Sequence, residues 1–144
     1  MRVPVGHQKD QGTADWSIRG RVVSGLGDGR YYISRYSDRI RERLGFTPFP
    51  GTLNILLDGP FSPPERLSIR IEGFEEAGRS FGECILVRIR IGGIGAALIR
   101  PARSSHPEEV VEVIAPANLR ERLRLSDGDQ VEIVLESEQG SSLP

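Results

Sequence analysis

Polar and apolar residues alternate along "WSIRGRVVSG" (16–25), which is rich in β-branched side chains, the mark of a half-buried strand. "YYIS" does likewise beyond the glycines at 25, 27 and 29, so the pattern predicts a strand, a glycine turn and a second strand. In "SDRIRERLGF" the period changes. Ile40 and Leu44 share a helical face, Ser37 is placed to cap the start and Gly45 to stop the helix. "TPFPGTLNILLD" follows with an apolar strand from Leu53 to Leu57, and Pro48 and Pro50 stiffen the approach to Thr52.

"RLSIRIEGF", "CILVRIRIGG" and "AALIRP" are three further strands, each bounded by Gly or Pro. "HPEEVVEVIAP" carries two signals. Pro107 and the glutamates suit a helix start, whereas Val110, Val111, Val113 and Ile114 suit a strand, and the strand is preferred. "NLRERLRL" reads as a helix with a capping-box pattern from Asn118 to Glu121, followed by the turn "SDGD" and the strand "QVEIVLE". Strands outnumber helices without a βαβα rhythm, which predicts a mainly β barrel with short helices.

The 144 residues fit one domain, expected over 16–136, with polar, aperiodic flexible segments at 1–15 and 137–144. A net charge of −1 indicates no broadly basic surface for nucleic acid. Of the 19 basic residues only Lys9 is a lysine. P-loop and protein-kinase sites need a lysine on the phosphates, and Lys9 sits in neither motif, so both classes are excluded. Cys84, the only cysteine, rules out an internal disulfide and a cysteine zinc site. With no signal-like segment and no apolar run near the roughly 18 residues of a membrane span, a reducing, cytoplasmic setting is expected.

Three stretches hold candidate chemistry. "GLGDG" is either the corner of a hairpin or a backbone nest for an anion, and spacing alone leaves both open. Thr52 and Asn54 are two apart, so on a strand their oxygens face one way, as neutral ligands beside a phosphate-bound Mg²⁺ would, or simply as a polar barrel face. Glu112 falls on the same strand face as Val110 and Ile114, and a carboxylate among valines is either paired or functional. Asn118 is an N-cap, and a helix start is also an anion site.

Taken in order, "GRVVSGLGDGRYYIS", "LGFTPFPGTLNILLD", "AALIRPARSSHPEEVVEVIAP" and "NLRERLRLSDGDQVEI" resemble the archaeal CTP-dependent riboflavin kinase family, from about Gly20 to Val134. The resemblance implies a six-stranded cradle-loop β-barrel that transfers the γ-phosphate of CTP to the 5′-hydroxyl of riboflavin, giving FMN and CDP. It implies nucleotide contacts for Gly25, Leu26, Gly27, Asp28, Gly29 and Arg30, and for Ala117, Asn118, Leu119 and Arg120. It further implies Mg²⁺ on Thr52 and Asn54, and flavin contacts at Ser104 and Glu112. For in-line transfer to that hydroxyl, Glu112 is the candidate general base. Asp28 stands where the family usually has glutamate, Ser104 where threonine is usual and Ser105 where histidine is common. Some members carry an N-terminal winged-helix domain, which residues 1–15 are too short to form. A monomer without nucleic-acid or membrane partners is expected; the rival expectation is a non-catalytic barrel that binds flavin or nucleic acid.

Overall fold

The computed structural model describes residues 16–25, 29–102 and 108–136; the segments expected at 1–15 and 137–144 lie outside them. The strands are β1 (Trp16–Val23), β2 (Leu53–Phe61), β3 (Ile69–Ile71), β4 (Phe74–Glu76), β5 (Arg79–Phe81), β6 (Cys84–Ile91), β7 (Ile94–Pro101), β8 (Glu108–Ile114) and β9 (Gln130–Leu135). Each pairing among them is antiparallel, in the order β6-β7-β8-β2-β1-β9. β6 then returns to β9, with Ile89–Ile91 opposite Leu135–Ile133, and this pairing closes a six-stranded barrel. The other half of the same β6 edge, Cys84–Leu86, is taken by β3. β4 and β5 form a separate hairpin that the sequence pattern did not reveal.

Alternation along the strands fills both sides of the wall. Val87, Ile89 and Ile91 of β6, Leu98 of β7, Val111 and Val113 of β8 and Ile133 and Leu135 of β9 pack in the interior. On the outer face Cys84, Leu86, Ala97, Ile99 and Ile114 form a second cluster, covered by the helix α1 (Gly29–Leu44). Burial pushes the Cys84 thiol up to about 12, which leaves it an inert packing group.

Helix α1 corrects the sequence reading. "YYIS" is not a strand, the glycine segment is not a hairpin corner, and Ser37 sits mid-helix, because α1 begins at Gly29. Ile33, Tyr36, Ile40 and Leu44 form a buried stripe at spacings of three and four, and burying that stripe outweighs the local β preference of Tyr31, Tyr32 and Ile33. Gly45 ends the helix as expected, with φ +87° and its N–H donating to Arg41 O at 2.8 Å. Arg88 donates to the carbonyls of Arg43 (3.0 Å) and Leu44 (3.4 Å), placing a cation at the negative end of the helix. Helix α2 (Leu119–Arg122) is a single turn, shorter than "NLRERLRL" suggested. Among the described residues no helix is long and apolar enough to cross a membrane.

The packing of α1 is directly testable. Ile40 is fully buried and Arg41 exposed, so Ile40→Ala should destabilise the protein by about 2–5 kcal/mol and Arg41→Ala by no more than about 0.5 kcal/mol, read by urea denaturation. Equal effects would contradict the helical register.

Candidate functional site

The end of β1, the start of α1, the start of β2, the end of β8 and the start of α2 converge at one end of the barrel around a cavity of about 310 Å³. Its wall includes Gly25, Gly29 and Arg30 from the first of these segments, Thr52 and Asn54 from β2 and its approach, and Ala117, Asn118, Leu119 and Arg120 from α2 and its approach. Three stretches far apart in sequence are thereby brought together. Leu26, Gly27, Asp28 and Ser104, also expected in the site, lie outside the described residues, as do Ser105 and His106. Phe49, Pro50, Gly51, Leu53, Val113 and Ala115 complete the wall, and none of them was expected in the site from the sequence. Phe49 N–H donates to Ala115 O at 2.7 Å, tying the approach to β2 onto the exit of β8.

Two glycines explain how the first segment comes so close to β2. A Cβ on Gly25 would stand 2.3 Å from Asn54 Nδ2, and one on Gly29 would stand 2.9 Å from Thr52 Oγ1. Only bare backbone fits there without displacing the two polar side chains. α1, described from Gly29, therefore runs directly over Thr52 with no acidic residue in its first described turn, and Gly29 and Arg30 set that positive dipole end of the helix at the cavity wall. Arg30 and Arg120 add charge of the same sign, and no carboxylate is among the described residues of the wall. The cavity is chemically suited to a polyanion.

Asn118 caps α2 as expected, its Oδ1 accepting from Glu121 N–H at 3.2 Å. The next residue but one, Arg120, donates through Nη2 to Asp127 Oδ1 at 2.6 Å, while Ser24 Oγ donates to Asp127 Oδ2 at 2.6 Å. This link is invisible in the sequence, since Ser24 and Asp127 are 103 residues apart.

Glu112 does not line the cavity. It is exposed on the outer face, because the period of two turns Val111 and Val113 inward, and it shares that face with Val110 and Ile114 as the alternation predicted. Its position is still telling: Glu112 is the cross-strand partner of Asn54 on one side and of Ile99 on the other, and direct partners share a face. β7 pairs with β8 only through Ala97–Ile99, and beyond that point a narrow cleft of about 50 Å³ opens, lined by Phe61, Ile85, Leu98, Val110, Arg100 and Glu112. No group of three or more His, Cys, Asp or Glu among the described residues is arranged to hold a metal, and the side-chain oxygens of the cavity wall at this point are the neutral ones of Thr52 and Asn54. Such a donor set fits Mg²⁺ whose remaining ligands are phosphate oxygens and water.

A family model named for a CTP-dependent riboflavin kinase, and described as a domain of unknown function, DUF120, matches residues 22–135. The chain is 50% identical over 121 residues to a riboflavin kinase of Methanocella arvoryzae, covering 83% of this chain and 56% of that protein. It is 45% identical over 127 residues to one of Ignicoccus hospitalis (83% and 70%) and 48% identical over 120 residues to one of Thermococcus kodakarensis (81% and 57%). The chain thus spans little more than half the length of several curated relatives it matches.

The Ser24 hydroxyl and then the Arg120 guanidinium hold the Asp127 carboxyl below the usual carboxylate range. A carboxylate whose folded pKa is lowered contributes stability that is present above its unfolded value, about 3.9, and lost as pH falls through the folded value. The link is therefore expected to stay intact through neutral pH and to open only below about pH 3.9. Titration of the Asp127 carboxyl carbon by NMR checks this; a midpoint at or above the free value would contradict it.

Proposed function

Because the chain belongs to the CTP-dependent riboflavin kinase family, we propose that it transfers the γ-phosphate of CTP to the 5′-hydroxyl of riboflavin, releasing FMN and CDP. The observation that carries this reading is the cavity itself: it joins two arginines, a helix N-terminus and two neutral oxygen side chains, with no carboxylate among the described residues of its wall, directly across one strand pair from Glu112.

In this reading the triphosphate lies along Gly25, Gly29 and the first turn of α1, where N–H groups and the helix dipole meet its charge. Arg30 and Arg120 take over the part a lysine plays in other kinases. Thr52 and Asn54 would hold Mg²⁺, which when bound neutralises phosphate charge. The segment from Ala117 to Arg120 takes the nucleoside side of the ligand. The ribityl chain approaches over Glu112, and the apolar cleft beyond it receives the flavin ring once β7 and β8 part further, since about 50 Å³ is too little for three fused rings. The 5′-oxygen then bonds to the γ-phosphorus as the bond to the β,γ-bridging oxygen breaks. CDP leaves with that oxygen, and Glu112 accepts the hydroxyl proton.

The deciding experiment follows FMN formation by HPLC with fluorescence detection, using riboflavin and Mg²⁺ with CTP, ATP, GTP or UTP in parallel. FMN is expected chiefly with CTP. None with any nucleotide, from protein shown to be folded, would overturn the kinase reading. Glu112→Gln is expected to lower kcat by about 100-fold or more if Glu112 takes the proton. A near-normal kcat with a raised KM for riboflavin would leave Glu112 only a contact to the ribityl chain.

A further inference from the structure

We infer that Asp127, which does not itself line the cavity, is a positioning residue for nucleotide binding, gripping Arg120 at the cavity wall and locking it to Ser24 at the entrance of the glycine segment. Each carboxylate oxygen serves a different stretch of chain: Oδ1 accepts from Arg120 Nη2 at 2.6 Å and Oδ2 from Ser24 Oγ at 2.6 Å. Asp127 can act as an anchor because its own turn is fixed. Gly128 N–H donates to Val22 O at 2.8 Å, Val22 N–H to Asp129 O at 2.9 Å, and Ser126 N–H to the Asp129 carboxylate at 2.8 Å. The turn after α2 is thus hydrogen-bonded to the last residues of β1, and the side chain of Asp127 extends that attachment to the two segments flanking the cavity.

The consequence lies in ligand geometry more than in stability. Arg120 and Asp127 are 39% and 55% exposed, and an ion pair that open to water contributes little to folding. A guanidinium is a rigid planar fork, however, and one gripped at Nη2 presents its other edge to the cavity at a fixed angle. Val23 O, 3.4 Å from the same Nη2, limits rotation further. Ser24 immediately precedes Gly25, whose backbone already rests against Asn54. One carboxylate therefore sets the distance between two walls of the cavity before any ligand arrives, and a pre-set site loses less freedom on binding.

This inference rests on the nucleotide reading above, and the test separates the two. CDP binding to the full chain is measured by calorimetry without riboflavin, for wild type, Asp127→Asn, Arg120→Gln and the double variant, with thermal melting read alongside. No binding of CDP to the wild type would sink the nucleotide reading itself. Given wild-type binding, Asp127→Asn is expected to weaken it roughly 5- to 20-fold with Tm nearly unchanged, and to add little in the Arg120→Gln background. In turnover the same variant should raise KM for CTP and leave kcat and KM for riboflavin near wild type. Wild-type affinity in Asp127→Asn, or a loss that persists undiminished without Arg120, would overturn the positioning role. Ser24→Ala, at an exposed position, provides a second variant that keeps the ion pair, and a smaller loss of CDP affinity is expected from it.

Discussion

Closing six strands on themselves creates an interior that side chains alone can fill. Here Ile55, Ile89, Ile133 and Leu135 are fully inaccessible within it, and Val22 and Val87 pack beside them. A barrel this narrow has no lumen for a nucleotide. Ligands are excluded from the axis, and the chemistry has to be assembled on the outer face and at the strand ends, where loops and helix termini meet. The closure pairing of β6 with β9 fixes this arrangement, because it commits every strand edge of the barrel and leaves β3 only the remaining half of β6.

The packing of α1 transmits that constraint to the site. The stripe of Ile33, Tyr36, Ile40 and Leu44 must cover Leu86, Ala97, Ile99 and Ile114, or these outer-face residues would be left in water. Tyr36 adds direction, its hydroxyl donating to Gly82 O at 2.7 Å. Once the stripe is seated, the first turn of the helix has nowhere to lie but over Thr52. Register does the rest along the sheet. Val23, Asn54, Glu112 and Ile99 are successive cross-strand partners, so a carboxylate and an amide stand side by side on the outer wall although 58 residues of sequence separate Asn54 from Glu112. The helix supplies a fixed positive end, the strands supply oxygens, and both are located by the same apolar contacts.

What was legible in the sequence follows from range. Alternation named the barrel strands, including the ambiguous one at Val110–Ile114, because a strand with one buried face advertises itself within a few residues. The first half of α1 was misread because Tyr31, Tyr32 and Ile33 favour a strand locally, and the buried stripe emerges only when counted through Leu44. The hairpin of β4 and β5 was missed because "EEAGRS" shows little alternation and its turn needs a non-glycine residue, Ala77, at φ +52°. The cavity residues were grouped by family resemblance, which orders motifs along the chain; their convergence depends on pairings that no local pattern contains. The link from Ser24 through Asp127 to Arg120 was beyond reach for the same reason, since each residue alone reads as an ordinary polar surface position.

The glycines show best why local chemistry and long-range geometry have to be taken together. As a sequence, three glycines at alternate positions suggest a chain that must turn, and the structure shows a chain that must come close. Gly25 and Gly29 are needed where a Cβ would collide with Asn54 and Thr52, so the constraint comes from contact with β2, not from turn geometry. A flexible ammonium would depend on a long stem to find a phosphate, whereas Arg120 is held by Asp127 and Val23, and α1 offers charge that cannot move at all. Backbone pressed against side chain, a clamped guanidinium and a helix end make a rigid setting suited to an anion, and rigidity lets such a setting stabilise charge without reorganising.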